Sequence, residues 1–219
     1  MTETPTATSS LSARLKAETT AVHERMHVLM ETLDPFASRN RYARFMLAQS
    51  AFQAEVLARS RTAAIHQLVP DLDDRGRQAQ AHADLADLRG DMDADALEKL
   101  ARLEADCGVV ERDLRPVALD RSTPLAGLGW VYVNEGSTLG AAFLFKAAQA
   151  QLGLSETFGA RSLAAAPAGR MTAWRAFTHA IDSAELSRDQ QDEVVAGAYA
   201  AFECFRVHLV AAFESKSTA

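Results

Sequence analysis

Apolar residues recur along this chain at steps of three and four, the spacing that puts them on one face of an α-helix. Leu15, Thr19, Val22, Met26 and Leu29 form such a stripe and predict a first helix from about Ser10 to just before Asp34-Pro35. Ser38 is a good N-cap for a second, which carries Phe45, Phe52, Val56 and Leu57 and ends or bends at Val69-Pro70-Asp71. Two shorter helices are predicted over 74–88, stopped by Gly90, and over 93–106, stopped by Gly108. The stretch 109–123 is short and irregular. Thr123-Pro124 then reads as an N-cap followed by a first-turn proline, opening a long helix to about Leu152. A helix around 169–181 follows. The last opens at the capping box Ser187-x-x-Gln190 and carries Val194, Ala198, Phe202, Phe205, Leu209 and Phe213. No strand alternation, repeat or linker interrupts this pattern. It predicts one all-α domain over 10–214, with a flexible N-terminal tail at 1–9 and a frayed end at 215–219.

Composition narrows the class. Only 11 of the 219 residues are Gly and 6 are Pro, too few turn formers for an all-β sandwich or barrel. A hydrophobic share of 48 % beside 24 % charged residues excludes wholesale disorder. A net charge of −6 argues against a nucleic-acid partner. The two cysteines, Cys107 and Cys204, form no CxxC motif and fit a reducing compartment. The opening MTETPTATSS has neither the basic start nor the apolar stretch of a signal peptide, and no apolar run approaches 18 residues. A cytoplasmic monomer without a membrane span is the expectation.

Two constellations carry candidate chemistry. Five of the 11 glycines fall between Gly127 and Gly153, inside the long predicted helix. An interior glycine costs roughly 0.8–1 kcal/mol relative to alanine, so several together need an offsetting purpose. Gly129, Gly136 and Gly140 lie within about 20° of one line, bordered by Ser137 and Ala141. A face this bare suits either close helix–helix contact or a flat ligand lying on the backbone. Spacing alone leaves both open.

The second constellation is on the first helix. His23 and His27 share a face at i, i+4, and Lys16 stands two turns before His23, about 10 Å along the axis. A cation followed by imidazoles suits a ligand with a central metal and an anionic edge; a solvated helix face explains the same residues. His23-Glu24-Arg25-Met26-His27 also matches the zinc-peptidase pattern H-E-x-x-H. Its longer form needs Gly and His where Met30 and Leu33 stand, the expected edge strand is missing, and Glu55 is an unsupported third ligand. A di-iron oxidase would need several carboxylates on facing helices, which do not assemble here.

Together the constellations resemble the heme oxygenases, especially the bacterial enzymes that take iron from heme. Leu15-Lys-Ala-Glu-Thr19-Thr-Ala-Val-His23 is similar to that family's proximal helix, and Tyr132-Val-Asn-Glu-Gly136-Ser137-Thr-Leu-Gly140-Ala141 to its glycine-rich distal helix. The resemblance spans most of residues 11–213. It implies an all-α, single-domain bundle with heme, both substrate and cofactor, sandwiched between the two helices. His23 would be the axial iron ligand and His27 a surface residue. Gly136, Ser137, Gly140 and Ala141 would lie over the distal face. Lys16 and Tyr132 would hold the propionates, and Gln49 and Trp174 would support distal water. O₂ and electrons from a ferredoxin or an NAD(P)H-dependent flavoprotein reductase would complete the reaction, giving biliverdin, CO and ferrous iron. Family members with this Lys and Tyr pair release the α isomer, so α-biliverdin is expected. A protein that binds heme without degrading it is the alternative, followed by a non-heme metal enzyme built on His23 and His27.

Other residues have two readings each. Arg39, Arg41 and Arg44 would form a docking site for an acidic electron donor, or simply a solvated helix start. Phe205 and Phe202 would touch the heme edge or pack the core. His179 and Asp182 form an i, i+3 pair that could hold a metal only with further partners. Met26 and Met30 are expected to pack beside the slot, and His66, His82 and His208 to lie at the surface.

Overall fold

Four helices begin where a serine or threonine oxygen accepts a first-turn backbone N–H: at Ser10, Ser38, Thr62 and Ser187. The computed structural model describes residues 10–112, 124–165 and 169–214. Among them the α-helices are α1 (Leu11–Leu33), α2 (Arg39–Ser60), α3 (Ala63–Leu68), α4 (Gln78–Leu88), α5 (Ala94–Arg112), α6 (Ala126–Leu152), α7 (Arg170–Asp182) and α8 (Arg188–Phe213). Short 3₁₀ turns at Leu72–Arg75, Arg89–Asp91 and Arg161–Leu163 join them. The described residues contain no strand, only isolated bridges from Ser155 to Phe158 and Gly159.

The predicted stops at Asp34 and Gly153 hold. Both residues adopt the left-handed conformation (φ 38° and 65°) that ends a helix. Three boundaries differ from the sequence expectation. The second helix ends at Ser60, because Thr62 caps a separate short one. The segment from Asp74 starts as a 3₁₀ turn and becomes α-helical only at Gln78. Gly108 does not stop α5, which runs on to Arg112. The proposed cap Thr123 lies outside the described residues, and Leu125, at the start of α6, makes no side-chain cap bond.

α8 is the central element and packs on α6, α2 and α1. One 18-residue window in it has a mean hydropathy of 1.4, more apolar than inspection of consecutive residues suggests. Its Val194, Ala198, Ala201, Phe202 and Leu209 are buried in the core. α6 crosses α8 backbone on backbone. A Cβ on Gly129 would stand 2.1 Å from the Val194 carbonyl oxygen, and one on Gly197 would stand 1.9 Å from that of Ala126. A Cβ on Gly127 would likewise stand 2.1 Å from the Arg59 carbonyl oxygen of α2. These glycines are the close-contact kind.

α1 is tied down at both ends. Asp182, at the end of α7, accepts the Ser12 N–H (2.7 Å) and hydroxyl (2.6 Å). That is its partner, and it forms no metal pair with His179. Arg14 pairs with Asp192 and Glu18, and the Tyr199 hydroxyl donates to the Glu18 carbonyl. At the other end Arg41 donates to the Leu33 and Asp34 carbonyls.

The three arginines are engaged within the fold. Arg41 closes α1, and Arg39 bonds the Leu152 carbonyl at 2.9 Å and lies 3.6 Å from Asp91. Arg44 is 6 % exposed; it holds Asp93 at 2.8 Å, Asp95 at 2.6 Å and the Ala212 carbonyl at 2.8 Å. These bonds hold the Asp93 carboxyl at about 2, below its ordinary 3.8, with burial opposing. Asp95 is lowered too, by Lys99 first and then Arg44. A carboxyl lowered in the folded state stabilises the fold above the unfolded value, and that stability is lost as pH falls through the folded one. Thermal melts should therefore show stability falling from pH 4 toward pH 2. Arg44→Met should cost about 2 kcal/mol at neutral pH and make that acid limb shallower. An unchanged acid limb would show that the triad does not couple to folding.

Candidate functional site

α1 and α6 meet at two levels, and the gap between them is the candidate site. At the first level Thr19 and Tyr132, both buried, lie close enough to interact. At the second, Met26 and Ala141 both enter the same buried cluster. Both helices run in the same direction: α8 lies parallel to α1, with Asp192 at Arg14, Tyr199 at Glu18 and Phe202 at His23, and α8 and α6 both lie antiparallel to α2. His23 follows Thr19 by one turn and Gly136 follows Tyr132 by one turn, so they stand at the same height. His23, Ser137 and Gly140 are exposed and Gly136 is half-buried.

The glycine face is not uniform: close helix–helix contact accounts for one of its glycines and leaves the other two open. Gly129 is spent on the α8 crossing. A Cβ on Gly140 would meet nothing within 4 Å, and one on Gly136 would meet only the Trp174 ring, at 3.7 and 3.8 Å. Nothing in the folded chain requires glycine at 136 or 140. Across the gap, the His23 imidazole has no hydrogen-bond partner among the described residues and touches the Phe202 ring edge-on, centroids 6.3 Å apart at 87°. Phe205 lies between the two core clusters, its ring 5.3 Å from Phe52. Trp174 forms the side wall, 5.5 Å from Tyr132. An unengaged nitrogen donor, a bare backbone opposite and aromatic sides fit a flat macrocycle carrying a metal.

The remaining candidates divide. Lys16 is exposed, without an ion-pair partner among the described residues, and precedes Thr19 by three positions. It therefore shares the Tyr132 end of the gap. Tyr132 is 8 % exposed; burial pushes its phenol up, and Thr19 pulls the other way. The Ser137 hydroxyl donates to the Asn134 carbonyl at 2.7 Å, within its own helix. Ala141 is buried. Gln49 is half-buried with no hydrogen-bond partner among the described residues. α2 runs antiparallel to α6, with Arg59 against Gly127, Gln53 against Asn134 and Arg39 against Leu152, so Gln49 stands level with about Thr138.

His27 is solvated and stands 3.4 Å from Glu31. Glu55 accepts from Arg59 on α2, away from His23. Among the described residues no three His, Cys, Asp or Glu side chains gather to hold a metal ion, so the H-E-x-x-H pattern finds no third ligand. Cys204 is a half-buried free thiol, pushed up to about 11 by burial and Glu55, with Arg59 opposing. His208 is half-buried rather than superficial, and burial lowers its pKa.

A polar group behind α6 escaped the sequence reading. Gln53 donates to Asn134 at 3.0 Å and accepts the Arg77 N–H. Glu135, 3 % exposed, binds Arg75 at 2.8 Å; burial pushes its carboxyl up and Arg75 opposes. Gln53, Arg75, Asn134 and Glu135 line a cavity of about 50 Å³ on the face of α6 turned away from the gap. It has room for about one or two waters, not a macrocycle. The signal was a lone Asn-Glu pair in an apolar stretch, and Gln53 one turn after Gln49.

The heme oxygenase family profile matches residues 9–211. Over 194 residues the chain is 40 % identical to the heme oxygenase PigA of Pseudomonas aeruginosa, covering 89 % of this chain and 88 % of that one. Its fold is similar to the NO- and CO-bound heme oxygenase of Neisseria meningitidis, with a TM-score of 0.75 at 32 % identity, over 97 % of this chain and 96 % of that one. The heme complex of Synechocystis heme oxygenase-1 shares the fold at 14 % identity, with a TM-score of 0.63 over 92 % and 91 % of the two chains.

Proposed function

The chain belongs to the heme oxygenase family and is a heme-degrading oxygenase; from that premise we propose that it opens heme to α-biliverdin in the gap between α1 and α6. The observation that carries this reading is the pair of open glycines, Gly136 and Gly140, opposite the unengaged His23. Heme bound there would supply both the iron that activates O₂ with donor electrons and the ring that is cleaved, with release of CO and ferrous iron.

The chain's own residues do the rest. His23 would hold the iron through an imidazole, a ligand that pushes less electron density onto the metal than a thiolate would. Gly136 and Gly140 allow the α6 backbone to approach the distal face. They also keep acid and base side chains off this wall of the slot. Phe202, Phe205 and Trp174 exclude bulk water from the sides. Gln49, with its amide unengaged, orders water at the level of the glycines and passes protons in from there. Lys16 anchors the propionate edge, with Tyr132 beside it, and this fixes the rotation of the ring in the slot.

The donor is a ferredoxin or a flavoprotein reductase, and the protein works as a cytoplasmic monomer. Reducing the hemin complex with ascorbate and separating the products by chromatography tests the reading. Conversion of the Soret band to biliverdin absorption with one dominant α isomer is expected, and Lys16→Ala should scramble that isomer. A β- or δ-dominated product would remove the assignment of Lys16 and Tyr132. A stable ferrous–oxy complex would favour the heme-sequestering alternative.

A further inference from the structure

Phe143 is the most exposed large apolar side chain among the described residues, at 78 %. It belongs to neither core cluster, although its neighbours Leu144 and Phe145 pack against one of them. Its position on α6 explains why it is not a random surface residue. It follows Gly136 by seven residues and Gly140 by three, so it projects within about 20° of the Gly136 line and stands about 10 Å further along the axis. The bare stripe on α6 thus ends in an aromatic ring. Burial of an aromatic ring is a large free-energy term, and the folded chain leaves this one unused.

We propose that Phe143 closes the far end of the slot by laying its ring against the edge of bound heme, and so sets how long heme is retained. The inference rests on the functional reading above. In the free chain Phe143 supports nothing, so its removal is felt only when heme is present. Phe143 and the Lys16–Tyr132 pair then hold opposite ends of the ring, one by apolar contact and the other by charge.

The test is the rate of hemin transfer from the ferric complex to excess apomyoglobin, for wild type, Phe143→Ala, Phe143→Leu and Val28→Ala. Val28 is also exposed, at 56 %, but points away from the His23 face of α1. Phe143→Ala should lose hemin about tenfold faster, and Phe143→Leu about two- to threefold faster, with Val28→Ala unchanged. The axial-histidine spectrum and the melting temperature of the heme-free protein should stay at wild-type values. Equal transfer rates for wild type and Phe143→Ala would overturn the proposal. So would the same acceleration in Val28→Ala, or a fall in heme-free stability. A wild-type chain that forms no hemin complex would instead overturn the functional reading itself.

Discussion

His23→Ala is expected to abolish the axial-histidine spectrum of the hemin complex and to lower turnover by at least about 100-fold. Changes to groups that merely orient a metal ligand cost 10–100-fold, so loss of the ligand sets a higher floor. The same substitution at His27 should leave both readouts unchanged, because His27 is solvated beside Glu31. His23 is exposed and supports no described hydrogen bond, so its loss should barely alter the melting temperature of the heme-free chain. Optical titration with hemin and single-turnover reduction check both variants. Loss of the spectrum with His27→Ala alone would move the ligand one turn along α1 and dismantle the pairing of His23 with Gly136.

The glycines of α6 should split in opposite directions. Gly140→Ala places its methyl group in open space and removes the cost of a helical glycine, about 1 kcal/mol. The heme-free protein should therefore melt about 2–4 °C higher. Its turnover should fall by up to about 100-fold, because a displacement of about 1 Å at a reacting centre has that effect. Gly129→Ala forces a Cβ to within 2.1 Å of the Val194 carbonyl and should destabilise the fold by about 3 kcal/mol or more. Melting curves and turnover measured on the same preparations separate the two. If both variants lost stability, or Gly140→Ala kept full activity, the assignment of the open glycines to the substrate face would fail.

This split shows where sequence reading stops. Period and capping chemistry are local, so α1, the start of α2, the capping box of α8 and the end of α6 are legible from neighbouring residues. Gly129, Gly136 and Gly140 share one stripe and one residue type. Only the presence of α8 behind the first separates packing from binding. The intramolecular partners of the arginines at 39, 41 and 44 were hidden for the same reason. Their partners are Asp91, Asp93 and Asp95 some fifty residues on, and carbonyls at Leu33, Leu152 and Ala212. No local pattern announces such partners. Gln53 with Asn134, and Arg75 with Glu135, likewise exist only once α2 and the 3₁₀ turn lie against α6. Spacing along α1 puts Lys16 and His23 on one face, whereas Tyr132 is marked only by the resemblance to the heme oxygenase distal helix.

The fastening of α1 has a mechanical consequence. Asp182, Asp192 and Tyr199 clamp its first two turns, and Arg41 clamps its last carbonyls. Between these clamps Thr19 and Met26 are buried, but over the stretch from Thr20 to Arg25 only Val22 is even half-buried. A rod held at both ends and unloaded at mid-span bows outward at little cost, and long helices curve readily without breaking their hydrogen-bond ladder. A rigid disc can then slide in edge-first as the span flexes, and the opened, floppier product can leave the same way.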